Sequence, residues 1–421
     1  MFDQHGQRVS MSAIPPYRTK LLALHRDLVS IDSVTGRENE VGEFLVAHLE
    51  KNGYQTSRQV LPNRSDTPAD RPRFNVLAWP KCKATSLEDV SAPRLLVTAH
   101  IDTVPPHIPY SIDSGEVTVD TKIHGRGSSD TKGAVAAQIV ALDELLAEGR
   151  VRPEDVMLLY VVGEEEGGDG MRHFSRVLNA RCNGDGGAAS ASDAAALLQR
   201  LPLATGFDAA IFGEPTEGKL ARGHKGLIIC TVKARGLAGH SGYPWLGKSA
   251  NELLVRALQG LLDGDLGSSE RFGQTTVNVG VMRGGVAGNV IPEAAEASLV
   301  LRVATGPQAD GHEQVKQRML EILRDVDAEA FTVEWGASFG AVPCDYDVEG
   351  FETCVVNFGT DVPGLEGNHA RYLYGPGSIL VAHADHEHLT VGDMDRAVVD
   401  YKKLIAHALA RKPVQCPGEG V

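Results

Sequence analysis

This chain of 421 residues lacks the features that mark membrane proteins, disulfide-rich proteins and nucleic-acid-binding proteins. No apolar run approaches the roughly 20 residues that cross a bilayer, and the first residues contain no apolar segment of the signal-peptide kind. The six cysteines are scattered without a CxxC pair, which argues against a zinc ribbon or a dense disulfide framework. We expect a soluble chain, cytoplasmic on the sequence as given, or secreted if a signal peptide has been removed.

Basic residues are also sparse. Lysine and arginine number 41 against 55 acidic residues, the formal net charge is −14, and no basic block interrupts this excess. Such a chain repels phosphate backbones, so we expect no nucleic-acid partner and no membrane partner. The hydrophobic content of 42% and the charged content of 23% are those of an ordinary globular protein.

The chain has no tandem repeat, but it is too long for a typical single core, so two domains are expected. After residue 226 the strand-like segments become amphipathic instead of uniformly apolar. The last site-like motif nevertheless lies beyond residue 380. We therefore predict a smaller domain inserted into a larger one. The predicted boundaries are 1–224 and 339–421 for the two parts of the larger domain, and 225–338 for the insert.

The larger domain shows an alternation of strand-like and helix-like segments. Apolar strands are predicted near 74–78, 94–99, 156–162 and 208–213, and helices near 21–28, 38–51 and 133–147. The run TGRE at 35–38 has the pattern of a capping box for the second helix. Uniformly apolar strands are typical of parallel sheets buried on both faces. The sequence therefore predicts an α/β fold with a mostly parallel sheet flanked by helices.

The inserted segment has a different, more amphipathic pattern. Strands are predicted at 227–235, 275–281, 294–303 and 331–335, with helices at 250–262 and 312–325. Ser249 and Glu252 are placed to cap the first of these helices. This order predicts a small α+β unit. A separate stretch at 183–196, rich in glycine, alanine, serine and aspartate, is predicted to be a mobile surface loop.

Five fragments carry imidazole or carboxylate groups, and four of them lie at or just beyond a strand-like apolar run. They are AHID at 99–102, GSSD at 127–130, GEE at 163–165, GEP at 213–215 and AHAD at 382–385. Loops at the carboxyl ends of parallel strands converge in space, so we expect these fragments to meet in one cleft. Two imidazoles and several carboxylates in one cleft favour divalent cations.

The fragments differ in how directly they indicate a metal site. His100 and Asp102 are two residues apart in an extended segment, so both face the same side, and Asp102 could orient the imidazole. Residues 125–133 fit either a phosphate-binding loop or a turn that presents Asp130 as a carboxylate bridging two cations. The absence of Walker spacing favours the second interpretation. The glutamates at 164–166 need a cation or a proton if buried, and an exposed acidic turn is the alternative.

Seven motifs in combination resemble one known family. They are HIDTVPP at 100–106, GSSDTKG at 127–133, EEEGGDGM at 164–171, GEPT at 213–216, GHS at 239–241, NVIP at 289–292 and AHADHE at 382–387. This set is similar to that of the co-catalytic zinc amidohydrolases and exopeptidases that include carboxypeptidase G, acetylornithine deacetylase, succinyl-diaminopimelate desuccinylase and aminoacylase. The resemblance implies a zinc-exopeptidase-like catalytic domain with an inserted lid or dimerisation domain, and a homodimer formed through that lid.

The resemblance also implies a ligand set for two Zn²⁺ per subunit, with Co²⁺ or Mn²⁺ as possible substitutes. Asp130 would bridge the ions. His100 and Glu214 would complete one site, and Glu165 and His383 would complete the other.

The resemblance also implies that one of the glutamates at 164–166 is the general base. The family usually has Asp-Glu-Glu where this chain has Gly-Glu-Glu-Glu, so the alignment is not unique. The glycines that follow favour Glu164 as the base and Glu165 as the ligand. A shift by one, with Glu165 as the base and Glu166 as the ligand, is the alternative.

Residues of the inserted domain are implied in substrate binding by the same resemblance. His240 would reach the oxyanion, from the lid of a partner subunit. Asn289 and Arg302 would hold the substrate carboxylate, for which a guanidinium fork is suited, and Lys225 would assist. Asn289, Arg302 and Lys225 could each instead be a surface residue of a dimer interface.

The expected function is hydrolysis of an amide or peptide bond next to a free carboxylate, by metal-activated water with a glutamate base. The substrate would be an N-acyl amino acid or a short peptide, which makes the chain an amidohydrolase or a metallocarboxypeptidase. An acetylornithine-type deacetylase is a narrower alternative. A catalytically silent metal-binding protein, or a phosphoryl-transfer enzyme using the loop at 125–133, is less favoured.

Overall fold

The computed structural model describes residues 14–65, 67–81, 93–182 and 206–411. The loop predicted at 183–196 lies outside the described residues. The helices are α1 (Arg18–Val29), α2 (Asn39–Lys51), α3 (Gly133–Ala147), α4 (Asp169–Cys182), α5 (Ala250–Asp263), α6 (Gly311–Val326) and α7 (Val391–Ala410). The strands are β1 (Tyr54–Val60), β2 (Phe74–Pro80), β3 (Leu95–His100), β4 (Ser111–Ile112), β5 (Lys122–His124), β6 (Val156–Val161), β7 (Ala209–Gly213), β8 (Leu220–His224), β9 (Gly226–Arg235), β10 (Gly239–His240), β11 (Ser268–Ser269), β12 (Gly273–Gln274), β13 (Thr276–Gly284), β14 (Val290–Ile291), β15 (Ala294–Val303), β16 (Phe331–Phe339), β17 (Val342–Pro343), β18 (Thr353–Val356), β19 (Ala370–Tyr374) and β20 (His388–Thr390).

The described chain forms two compact units. The first comprises the described residues within Met1–Lys219 and Gly364–Val421, and the second comprises Leu220–Pro363. The predicted limits of the insert, residues 225 and 338, fall inside the second unit. Among the described residues, no helix is both long enough and apolar enough to span a membrane.

The first unit is built on a mixed sheet in which β1, β2, β6, β3, β7 and β19 lie side by side in that order. The pairs β6–β3, β3–β7 and β7–β19 are parallel, while β1–β2 and β2–β6 are antiparallel. The central strands β3, β6 and β7 are buried along their whole length, as uniformly apolar sequences require. Helices α1, α3 and α7 pack together, and α3 and α7 also pack against β3. The predicted fold class, a mostly parallel sheet flanked by helices, is confirmed.

The predicted capping box before α2 is wrong. The helix begins at Asn39, and Glu38 at its N-cap position makes no side-chain cap hydrogen bond. Both side chains of the predicted box have other partners. The Thr35 hydroxyl donates to the Asp102 carboxylate at 2.7 Å, and Glu38 accepts from Arg73 at 3.1 Å. Long-range polar contacts therefore override the local capping pattern.

The second unit contains a four-stranded antiparallel sheet in the order β13-β15-β9-β16. Alternate residues of β9 and β15 are buried, and they form one apolar core with α5 and α6. The Ser249 hydroxyl accepts a hydrogen bond from the Glu252 amide at 3.3 Å, which caps α5 as its sequence predicts.

Candidate metal centre

The site-like residues of the first unit lie at one edge of its sheet. His100 is the last residue of β3, Glu164 and Glu165 follow β6, and Glu214 follows β7 directly. His383 lies in the loop that leads from β19 to β20. Because β6, β3, β7 and β19 run in the same direction, their carboxyl ends meet at this edge. The remaining member, Asp130, lies in the wide helical turn Ser128–Lys132 that opens α3.

Asp130 belongs to two groups of possible metal ligands. One group is His100, Asp130 and Glu214, and the other is Asp130, Glu165 and His383; within each group the ligand atoms lie within 4.8 Å of one another. The Nε2 atom of His100 is 3.1 Å from Oδ1 of Asp130, and the Nε2 atom of His383 is 3.4 Å from Oδ2. The two oxygens of one carboxylate thus face two different imidazoles. This is the arrangement needed for a carboxylate that bridges two cations.

Burial differs between the two groups. The side chains of His100, Asp130 and Glu165 are exposed by only 1%, 6% and 6%, but that of His383 is 50% exposed. The Nε2 atom of His383 is 3.0 Å from Oε2 of Glu165. The second group therefore faces solvent on its His383 side.

Asp102 is fully buried beside His100, although its contact with the imidazole differs from the expected one. The Nδ1 atom of His100 is 3.0 Å from the backbone carbonyl oxygen of Asp102 and 3.6 Å from its carboxylate. The carboxylate instead accepts hydrogen bonds from the amides of Glu164 and Glu165, each at 3.2 Å, and from the Thr35 hydroxyl. One buried carboxylate therefore fixes the backbone of the glutamate turn.

The three consecutive glutamates have different surroundings. Glu165 is in the second ligand group, whereas Glu164 is half-buried and belongs to neither group. Glu166 is exposed, its carboxylate pairs with Arg64, and its backbone carbonyl accepts from the same guanidinium at 3.2 Å. Among the described residues, Glu165 is thus the one of the three glutamates that groups with the other candidate ligands.

The preceding residue explains how the chain makes this turn. Gly163 has φ of 77°, a conformation that side-chain-bearing residues rarely adopt. A Cβ atom at this position would meet an Asp169 oxygen at 2.0 Å and an Arg73 nitrogen at 2.4 Å. Glycine is therefore required on both conformational and steric grounds.

The electrostatics of the centre favour positive charge. Hydrogen bonds to Asp130 and Glu165 raise the pKa of His383 to about 10. Burial lowers the pKa of His100, but the nearby carboxylates of Asp102 and Asp130 outweigh burial and raise it well above the usual value. Burial also raises the pKa of Glu165, although its hydrogen bond to His383 opposes this. The carboxylates thus concentrate negative charge beside imidazole nitrogens, which attracts a divalent cation.

Sequence reasoning missed three residues that hold this centre. Thr35 donates a hydrogen bond to the Asp102 carboxylate. Arg126 and Glu387 form a buried ion pair, in which Arg126 donates to the His383 carbonyl oxygen and Glu387 accepts from the Asp130 amide. Glu387 is the last residue of the AHADHE motif and Arg126 directly precedes the GSSD fragment, so their position in the sequence could have indicated a role in the centre. Thr35 carried no such signal.

The candidate oxyanion residue His240 and the three candidate substrate-binding residues lie in the second unit. His240 is exposed on the short strand β10, which pairs with β14, and Asn289 is exposed just before β14. Lys225 is buried, and its Nζ atom donates to the Gln274 carbonyl oxygen at 2.6 Å. Arg302 is half-buried on β15. Burial lowers the pKa of both cations.

Comparison with known proteins identifies the family. A family model described as a peptidase dimerisation domain matches residues 222–330. A peptidase M20 domain-containing protein of Sordaria macrospora is 51% identical, over 97% of this chain and 89% of the relative. The chain belongs to the M20 peptidase family. A probable carboxypeptidase of Emericella nidulans is 42% identical, over 97% of this M20 chain and 93% of the relative.

Solved structures share the M20 fold at low sequence identity. The aminopeptidase PepT of Bacillus cereus has a TM-score of 0.67 and 17% identity, over 93% of this chain and 99% of that one. A Bacillus subtilis protein, described as a dinuclear metal-binding peptidase of the M20 family, has a TM-score of 0.61 and 16% identity, over 93% and 98%. The family inferred from the seven motifs is confirmed, and this M20 protein is a metallopeptidase hydrolase with a dimerisation domain.

Proposed function

We propose that this protein is a dinuclear zinc carboxypeptidase or N-acyl-amino-acid amidohydrolase. The observation that carries the proposal is that each oxygen of Asp130 faces a different imidazole, at 3.1 and 3.4 Å. His100 and Glu214 would hold one ion, Glu165 and His383 the other, and Asp130 both. Mixed nitrogen and oxygen donors suit Zn²⁺, with Co²⁺ or Mn²⁺ as substitutes. The Bacillus subtilis neighbour, described as a dinuclear metal-binding peptidase, supports a centre for two ions.

When bound, a pair of such ions activates a water molecule at neutral pH and polarises the carbonyl oxygen of the substrate. Glu164 would take the proton from this water and pass it to the leaving amine. The hydrogen bond from its amide to Asp102 holds Glu164 beside the ligands, without making it one. The exposed ion pair between Glu166 and Arg64 supports this assignment over the one shifted by a residue.

A free carboxylate on the substrate would be recognised by the second unit, which we propose to act as an inserted lid and dimerisation domain over residues 225–338. Burial lowers the pKa of Arg302 and of Lys225, and among the described residues no acidic group contributes to either shift. Buried cations without an acidic neighbour are suited to an anionic ligand. Asn289 would add an amide to this grip, and His240 would serve the oxyanion, from the partner subunit of a homodimer.

The substrate class is tested with paired compounds that differ only at the terminus. We expect the zinc-loaded enzyme to cleave Ala-Leu or N-acetyl-leucine, and to be much less active on the corresponding C-terminal amides. Changing Arg302 to Met should raise KM for the free acids, while changing the exposed Arg283 to Met should leave it unaltered. Equal rates on acids and amides would contradict the proposal.

Two alternatives are separated when N-acetylornithine is added to this panel. A narrow acetylornithine-type deacetylase would cleave N-acetylornithine and leave dipeptides intact. A catalytically silent metal-binding protein would turn over none of the panel. The names of the relatives, which describe probable carboxypeptidases, favour a peptidase activity over both.

A further inference from the structure

The inference concerns a buried ion pair that the proposed chemistry does not use. The Nη1 atom of Arg126 lies 2.6 Å from Oε2 of Glu387, and their side chains are only 3% and 1% exposed. A buried ion pair contributes little net stability, because desolvation offsets the attraction. What distinguishes this pair is the set of backbone groups that it binds.

Glu387 holds the loop that carries Asp130. Its second oxygen, Oε1, accepts hydrogen bonds from the backbone amides of Ser129 and Asp130, at 3.1 and 3.2 Å. These amides belong to the turn that precedes α3. The position of the Asp130 main chain is therefore tied to Glu387.

Arg126 holds the loop that carries His383. Its Nη1 atom donates to the Ala384 carbonyl oxygen at 3.1 Å, and its Nη2 atom donates to the His383 carbonyl oxygen at 3.3 Å. His383 has φ of 63°, an unfavourable conformation for a residue other than glycine. The guanidinium thus binds the loop at two consecutive carbonyl oxygens, one of them that of the residue with the unfavourable φ.

We propose that Arg126 and Glu387 are positioning residues that set the spacing between Asp130 and His383. The pair joins the carboxylate shared by both ligand groups to the imidazole of the more exposed group. This inference rests on the proposed dinuclear centre. It predicts an unequal effect, because loss of the Arg126 hydrogen bonds releases His383 and leaves Asp130 held by Glu387.

The sharpest variant is Arg126→Lys. Lysine keeps the positive charge beside Glu387 but lacks the planar fork that reaches two carbonyl oxygens. The matched control is Arg18→Lys, since Arg18 forms a comparably buried ion pair with Asp395, with side chains 10% and 12% exposed. Among the described residues, no hydrogen bond or ion pair links Arg18 or Asp395 to a candidate ligand.

The experiment measures the two Zn²⁺ affinities of the full chain by competition with a chelator. In Arg126→Lys, one ion should bind at least about tenfold more weakly, as for other residues that orient ligands, and the other should change less than about twofold. In Arg18→Lys, both affinities should match the parent. Should Arg126→Lys fail to fold, Glu387→Gln is used. Its Oε1 can still accept from the two amides, but loss of the ion pair frees the Arg126 guanidinium, so the same ion should bind more weakly.

The outcomes separate this inference from the proposed function. Unchanged affinities in a folded Arg126→Lys or Glu387→Gln variant, or equal weakening of both ions, would overturn the positioning role alone. A parent chain that binds fewer than two ions would overturn the dinuclear proposal, and the positioning role with it.

Discussion

The amide of Glu165 donates a hydrogen bond to the Asp102 carboxylate over 3.2 Å. The neighbouring Glu164 amide donates to the same carboxylate at the same distance. Asp102 therefore joins a candidate ligand and the candidate base through their main chains, in addition to following His100 in sequence. Asp102 thus contacts both the backbone of the glutamate turn and the imidazole of His100.

This relationship predicts the effect of Asp102→Asn. An asparagine amide group cannot accept a hydrogen bond through its nitrogen, so one of the two glutamate amides would lose its acceptor. We expect kcat to fall at least about tenfold at saturating Zn²⁺, as for other groups that orient ligands. Thr35→Val removes only the hydroxyl donor and should cause a smaller loss. Steady-state kinetics with a dipeptide check both, and parental kcat in Asp102→Asn would contradict this role.

The run of three glutamates provides an internal control for the base. Glu164→Gln should lower kcat by about two to four orders of magnitude while leaving the metal content intact, because only proton transfer is lost. Glu165→Gln should lower the metal content. Glu166→Gln removes an exposed ion pair and should resemble the parent in both respects. Loss of metal in Glu166→Gln with metal retained in Glu165→Gln would support the assignment shifted by one residue.

Stability should depend on the Arg73 network. Arg73 is fully buried, donates to Glu38 at 3.1 Å, and donates to the two oxygens of Asp169 at 2.6 and 3.0 Å. Arg73→Met leaves these carboxylates without a cation, and we expect a loss of about 3–5 kcal/mol in the free energy of unfolding. Arg58→Met breaks an exposed pair with Glu43 and should cost less than about 1 kcal/mol. Urea unfolding of both variants measures the difference, and equal losses would contradict the account.

The buried His25 predicts a pH dependence of stability. Burial lowers the pKa of His25 from 6.5 to about 4, so the folded state binds fewer protons than the unfolded state between these values. The free energy of unfolding should therefore fall as pH drops from 6.5 towards 4, and this contribution should be constant above 6.5. The contribution lost at pH 4 is about 3 kcal/mol.

The measurement compares urea unfolding of the parent with that of His25→Gln, both in a metal chelator, between pH 4 and pH 7. The parent should lose more stability on acidification than the variant, which lacks the titrating imidazole. Parallel curves for the two proteins would show that His25 does not carry the effect.

Much of the fold was predictable because its signals are local. The uniformly apolar runs that become β3, β6 and β7 indicated a buried parallel sheet, and the strand-end position of His100 and Glu214 indicated a common edge. The amphipathic periodicity of the second unit likewise predicted α5 and α6 within one residue at each end.

The remaining features depend on partners distant in sequence. The TGRE run resembles a capping box, but Thr35 binds Asp102 and Glu38 binds Arg73, and neither partner can be inferred from local spacing. The same holds for Arg126 and Glu387, which are joined only when β5 and β20 pair. Motif spacing identified the candidate ligands, whereas the groups that orient them required the fold.

The central claim is that one carboxylate, Asp130, serves two metal ions. Its most direct test is the Zn²⁺ content of the parent chain and of Asp130→Ala, measured after equilibration against a buffered zinc solution, with the exposed Asp113→Ala as a control. The account predicts two ions per chain for the parent and for Asp113→Ala, and loss of both tightly bound ions in Asp130→Ala. Full peptidase activity in a parent chain that binds one ion or none, or two tightly bound ions in Asp130→Ala, would contradict it.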